Sequence, residues 1–165
     1  MTRAQLAVLL TLGLAGCADV SPQLEVTPPP APPVEFATIA GAAAFHTPAG
    51  GYGTCAGRSV LLMPDTPESR SRIIALYGPG PHVVALEAAV RARQIRLGPP
   101  PTSLVAFPTQ CDPTGRFGFQ DLRAGEYFLI ARVRVRPAPS GQEDLVILQR
   151  LTLRTGEARQ VELSP

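Results

Sequence analysis

The stretch CDPTGRFGFQDLRAGEYFLIARVRVR, residues 111–136, decides how the rest of this chain is read. Asp112-Pro113-Thr114-Gly115 places Asp, Pro and Gly at the first, second and fourth positions of a type I turn. Phe117 and Phe119 then alternate onto one face, and Gly125 supplies a residue free to take positive φ just before a strand that starts at Glu126. In that strand Tyr127, Leu129, Ala131, Val133 and Val135 share one face, and Arg132, Arg134 and Arg136 share the other. A strand that is apolar on one side and basic on the other predicts an antiparallel sheet with one wet face.

Working outward, Thr38 to Phe45 and Arg58 to Pro64 read as strands flanking the glycine-rich loop HTPAGGYGTCAG. Ser103 to Thr109 reads as a strand that delivers Cys111 to the turn. Asp144 to Leu153 and Glu157 to Leu163 read as two more, joined at Thr155-Gly156. About six or seven short strands with closely spaced turns predict a mainly β fold, an antiparallel Greek-key sandwich. Residues 66–101 interrupt it as a helical insertion. Thr66-Pro67-Glu68 caps a helix carrying Ile73, Ile74 and Tyr77, which Gly78-Pro79-Gly80-Pro81 ends. From His82 to Gln94, Val83, Leu86 and Val90 form an apolar stripe, with Glu87 facing Arg91 at i,i+4. Strand remains open for either segment, given their Val and Ile.

The spacing Asp112, Gly115, Phe117, Phe119, Leu122, Gly125, Tyr127 is similar to the signature of carboxypeptidase regulatory-like domains. Gly41 and the run Gly57-Arg58-Ser59-Val60-Leu61-Leu62 resemble the opening of that pattern. The resemblance covers roughly 38–163. It implies a transthyretin-like (prealbumin-like) sandwich over 38–165, in which these residues build turns and core and do no chemistry. The long segment 66–101 departs from the pattern.

Residues 1–16 read as an export signal: Arg3, then an apolar run from Leu6 to Leu14 that is too short to span a bilayer. Leu14-Ala15-Gly16-Cys17 resembles the lipobox of bacterial lipoproteins. The resemblance implies cleavage before Cys17, a diacylglycerol thioether on its sulfur and acylation of the new amine. Two or three acyl chains, at about 0.8 kcal/mol per buried methylene, anchor stably where one does not. Ala18, rather than Asp, follows the cysteine, which by resemblance to Gram-negative sorting rules implies the outer membrane, facing the periplasm. The proline-rich stretch within 17–37 reads as a stiff tether. Outside the cytoplasm the remaining pair, Cys55 and Cys111, is expected to form a disulfide; zinc is the alternative, but His46 and His82 lack ligand spacing.

The chain of 165 residues has 15 basic residues, all Arg, and a net charge of +2, so it lacks the basic stripe of a nucleic-acid binder. Without Lys the glycine-rich loop is no P-loop, and the serines lack a GxSxG elbow. Hydroxyisourate hydrolases, which share a related fold, end in a Tyr-Arg-Gly-Ser motif that is missing here. Intradiol dioxygenases hold iron with two Tyr and two closely spaced His, and here the histidines lie far apart. The expectation is a non-enzyme without cofactor or metal: a lipid-anchored envelope module with a structural or protein-interaction role. The alternative is a glycan- or small-ligand-binding lipoprotein, its ligand in a cleft between the end of the sandwich and the 66–101 insertion. Candidate surfaces are the ladder Arg132, Arg134, Arg136, joined by Arg150 and Arg154, and an exposed aromatic pair, Tyr52 and Tyr77. The ladder suits an acidic envelope polymer or a partner's carboxylates. The plainer reading is a solvated face paired with Glu143, Glu157 or Glu162.

Overall fold

A computed structural model describes residues 35–48, 50–138 and 141–165. The export signal, Cys17 and nearly all of the tether lie outside them. Ala37, assigned to the tether from sequence, is buried as the first residue of a strand.

Ten strands and two helices occur among the described residues. Strands β1 (Ala37–Ala42), β7 (Arg116–Leu122) and β10 (Ala158–Glu162) form a three-stranded sheet in the order β10-β1-β7. The pair β1–β7 is antiparallel and β1–β10 is parallel. The larger sheet is built around β8 (Gly125–Ala138). One edge of β8 pairs along its length with β9 (Gly141–Leu153), which carries β5 (His82–Leu86) on its far side. The other edge is shared. Its first half pairs with β4 (Ser59–Pro64), flanked by β6 (Phe107–Gln110), and its last turn of register pairs with β3 (Tyr52–Thr54), flanked by β2 (Ala44–His46). Every pairing in this sheet is antiparallel.

Both sheets contribute to one core. Ile39, Phe117, Phe119 and Val161 from the small sheet, with Leu163 just beyond β10, meet Val60, Leu62, Leu129, Ala131, Val133, Ile147 and Leu153 from the large one. Full burial of each large aliphatic side chain contributes roughly 1.5–3 kcal/mol. The Phe117 ring lies across Gly41, its register partner, where any Cβ would overlap it. The turn at Asp112 forms as its residue types predict. Gly115 N–H donates to Asp112 O at 3.0 Å, and Gly115 takes φ 80°. Asp112 Oδ1 accepts from Thr114 N at 2.8 Å, Thr114 Oγ1 at 2.7 Å and Arg116 N at 2.9 Å. The bond from the Arg116 backbone, then that from the Thr114 hydroxyl, hold the Asp112 carboxyl below its ordinary value. The buried Tyr127 donates its hydroxyl to Arg123 O at 2.8 Å, locking the corner between β7 and β8.

Helix α1 (Pro67–Tyr77) starts as the sequence predicts. Thr66 and Ser69 form a reciprocal capping box, with Pro67 in the first turn. Its Ile73 and Tyr77 pack on the outer face of the large sheet, against Phe128, Ile130, Val146 and Leu148; Ile74 points outward. Helix α2 (Glu87–Leu97) follows β5 directly, with Val90 its buried residue.

Several expectations change. Thr38 to Phe45 is not one strand: the chain crosses from the small sheet to the large one at Ala43, which is fully buried and bonded to Gly115 and Cys55. His82 to Gln94 is not one helix. Its first five residues are a strand, because β9 offers a free edge to their Val-rich backbone. Ser103 to Thr109 shifts to Phe107–Gln110, after proline-rich irregular chain. The outer face of β8 is not wet throughout: α1 covers Phe128 and Ile130, while Glu126 before them and the arginines after them are exposed or half-exposed.

Candidate functional site

The register of β3 on β8 builds the most distinctive surface of the molecule. Tyr52 lies opposite Arg136 and Thr54 opposite Arg134, so the aromatic ring and both guanidinium groups stand on one face of the sheet. With Ala56, Gly57 and Arg58 they line an open groove of about 460 Å³. Tyr52 is 43% exposed, and His46 from the neighbouring strand tilts against it at 5.3 Å between ring centroids.

An ion-pair network holds the groove's floor. Asp144, the register partner of Arg134 on β9, accepts from Arg134 Nε at 3.1 Å and from an Arg58 η nitrogen at 2.8 Å. Burial works against ionisation of Asp144, but the two arginine bonds outweigh it and hold its carboxyl below the ordinary value. Arg58 also bonds Glu87 at 3.1 Å, which in turn meets Arg91 at 3.2 Å and Arg132 at 3.9 Å. The Cys55–Cys111 disulfide, with 5.7 Å between Cα atoms, lies directly behind residues 56–58. The Gly57 N–H donates to Cys111 O at 3.1 Å and the Cys111 N–H to Arg58 O at 3.0 Å, tying the groove wall to that bridge.

The structure therefore unites Tyr52, Arg134 and Arg136, and separates the other candidates from them. Tyr77 is not part of an exposed aromatic pair. It packs under the helices, and burial raises its pKa against the opposing charge of Arg132. Arg132 turns toward Glu87 beside it, lining a small recess of about 50 Å³ with Tyr77. Arg150 and Arg154 do not join the ladder. Arg150 sits at the other end of the sheet, paired with Asp65 at 2.6 Å and Glu126 at 2.8 Å, and Arg154 lies in the β9–β10 turn, where its backbone N–H bonds Glu157 at 2.8 Å. Arg132 pairs with Glu87 and Arg134 with Asp144, whereas Glu157 and Glu162 belong to the small-sheet side of the molecule. Glu143 lines an adjoining depression with Asp144. His46 and His82 fall on β2 and β5, at opposite margins of the large sheet. The glycine-rich stretch is not all loop: Thr47 and Gly51 close a hairpin through bonds of 2.8 and 2.9 Å, and Tyr52–Thr54 is strand β3, drawn in by pairing with β2 and β8.

Sequence reasoning missed Arg58 and Asp144. Asp144 shares the period-two face of Val146, Leu148 and Arg150, a visible signal, but only the β8–β9 register places it beneath Arg134.

The fold and the groove together define a mainly β domain of antiparallel sheets with two helices, carrying an open, arginine-lined depression at one pole. Among solved structures, it is similar to PA1324 from Pseudomonas aeruginosa, described as a candidate carbohydrate-binding protein: TM-score 0.57, 17% identity, covering 80% of this chain and 90% of that one. At that identity the likeness concerns the fold alone. Neither a protein-family model nor a curated protein sequence matches the chain.

Proposed function

We propose that this chain is a non-catalytic, lipid-anchored binding module of the cell envelope, with a transthyretin-like sandwich presenting its groove to a saccharide. One observation carries the binding reading: β3 registers on β8 so that an exposed ring and two arginines line a single open groove. Its volume falls within the roughly 300–1,000 Å³ of small-molecule sites. The position of the groove fits a tethered receptor. The chain enters the domain at Ala37, beside Leu122 and Ala158, at the end where β8 begins. The groove lies where β8 ends, roughly 35 Å along the strand at about 3.3 Å per residue. The likeness to PA1324 adds support to the saccharide reading. The lipobox resemblance at Cys17 supports the anchor and an outer-membrane location.

Binding of the full-length protein, in detergent, to oligosaccharides isolated from the host envelope tests the groove. Wild type is expected to retain a fraction that the Arg134→Ala/Arg136→Ala double variant loses, and equal retention would end the assignment. Cys17→Ser is expected to move the protein out of the detergent phase; unchanged partitioning would remove the anchor. A protein partner would meet the same arginines through its carboxylates. Crosslinking in intact cells that consistently joined Arg134 and Arg136 surroundings to one protein would favour that reading.

A further inference from the structure

We infer that the groove selects an anionic saccharide, one whose sugar ring rests against Tyr52 while its carboxylate or phosphate meets Arg134 and its neighbours. This rests on the saccharide reading above and goes further by naming the charge the ligand must carry.

Three observations lead to it. Among the described residues Tyr52 is the one aromatic lining the groove, and the chain contains no Trp. A neutral sugar bound through stacking needs more ring surface than this, so most of the affinity must come from polar groups. The polar groups present are chiefly donors: three guanidinium groups line the groove, together with the Thr54 side chain and the Tyr52 hydroxyl. Guanidinium groups have no acceptor to offer a sugar hydroxyl, whereas their planar fork matches a carboxylate or a phosphate.

The third observation is the way Arg134 is held. Its bond to Asp144 uses Nε, at 3.1 Å. Its side chain is 38% exposed, and the η nitrogens make no hydrogen bond among the described residues. Asp144 is itself held by Arg58, so the carboxylate is a fixed strut. An arginine that lines the groove and is fixed through Nε is already held in place for an anion. Little rotamer freedom is lost when the ligand arrives.

Isothermal titration of the full-length protein in detergent separates the possibilities, with four probes: oligogalacturonate, its methyl-esterified neutral form, glucose 1-phosphate and inorganic phosphate. Oligogalacturonate or glucose 1-phosphate should bind at least tenfold more tightly than the neutral ester, and the lead between them tells carboxylate from phosphate. That binding should weaken as salt is raised and fall at least tenfold in Arg134→Met. Tyr52→Ala should erase the advantage of the charged sugars over inorganic phosphate. Equal binding of the charged and neutral sugars would overturn this inference and leave the saccharide reading in place. Inorganic phosphate matching the charged sugars in wild type, or no binding by any probe, would overturn both. Comparing probes on wild type keeps the inference open to refutation even if a variant misfolds.

Discussion

The outer face of β8 carries two halves with different fates. Phe128 and Ile130 lie beneath α1, packed against Ile73, Val146 and Leu148. Further along the same face, Arg132, Arg134 and Arg136 stand at the open end, where carboxylates from α2 and β9 brace Arg132 and Arg134. The two halves share a strand, a face and a pleat. They differ in what covers them, and so in what holds them: apolar burial in one, ion pairs and a covalent bridge in the other. An open arginine-lined surface can therefore be kept beside a well-packed layer, because the packed half is held by its own apolar contacts.

Reduction of Cys55–Cys111 should have the largest effect. The bridge spans a sequence separation of 56 and stabilises by about 4 kcal/mol in the chain-entropy model. Urea unfolding with and without reductant checks this, and an unchanged midpoint would show that the groove half stands without its bridge. Ile130→Ala, under the helix, should cost about 3 kcal/mol by creating a cavity where α1 meets the sheet, with groove binding retained. Loss of binding in that variant would show that the halves are coupled. Tyr127→Phe removes the 2.8 Å bond to Arg123 O and should cost about 1 kcal/mol, read as a lower melting temperature.

Arg134→Met should change stability least, by at most about 0.5 kcal/mol, since the pair is partly exposed and screened. Its effect belongs to binding. The same end of the molecule should respond to acid. Asp144 and Asp112 both titrate below their ordinary 3.8 in the folded protein. Their contribution is complete above that value and is lost as the pH falls through the lower folded values. The melting temperature should therefore decline on acidification below about pH 4. Asp144→Asn should flatten part of that decline, and an identical acid profile would remove Asp144 from the account.

Much of this was legible in advance because it is local. The Asp112–Gly115 turn, the capping box of Thr66 and the alternation of β8 each depend on residues a few positions apart, whose backbone preferences act without distant help. The segment His82 to Gln94 was legible only in part. Its Val-rich start suits strand or helix, and the free edge of β9 decided between them. The covering of Phe128 and Ile130 was hidden for the same reason: it depends on where a helix sixty residues upstream comes to rest.

From its own composition and spacing, the chain set its mainly β character, its turns, the start of α1 and the pairing of its two downstream cysteines. Strand register and packing alone joined Tyr52 to Arg136, set Asp144 beside Arg134 and laid Tyr77 against the outer face of the large sheet. Turn and cap preferences are intrinsic to short segments. Proximity across strands is settled only when the whole core closes and a single register buries the apolar faces together.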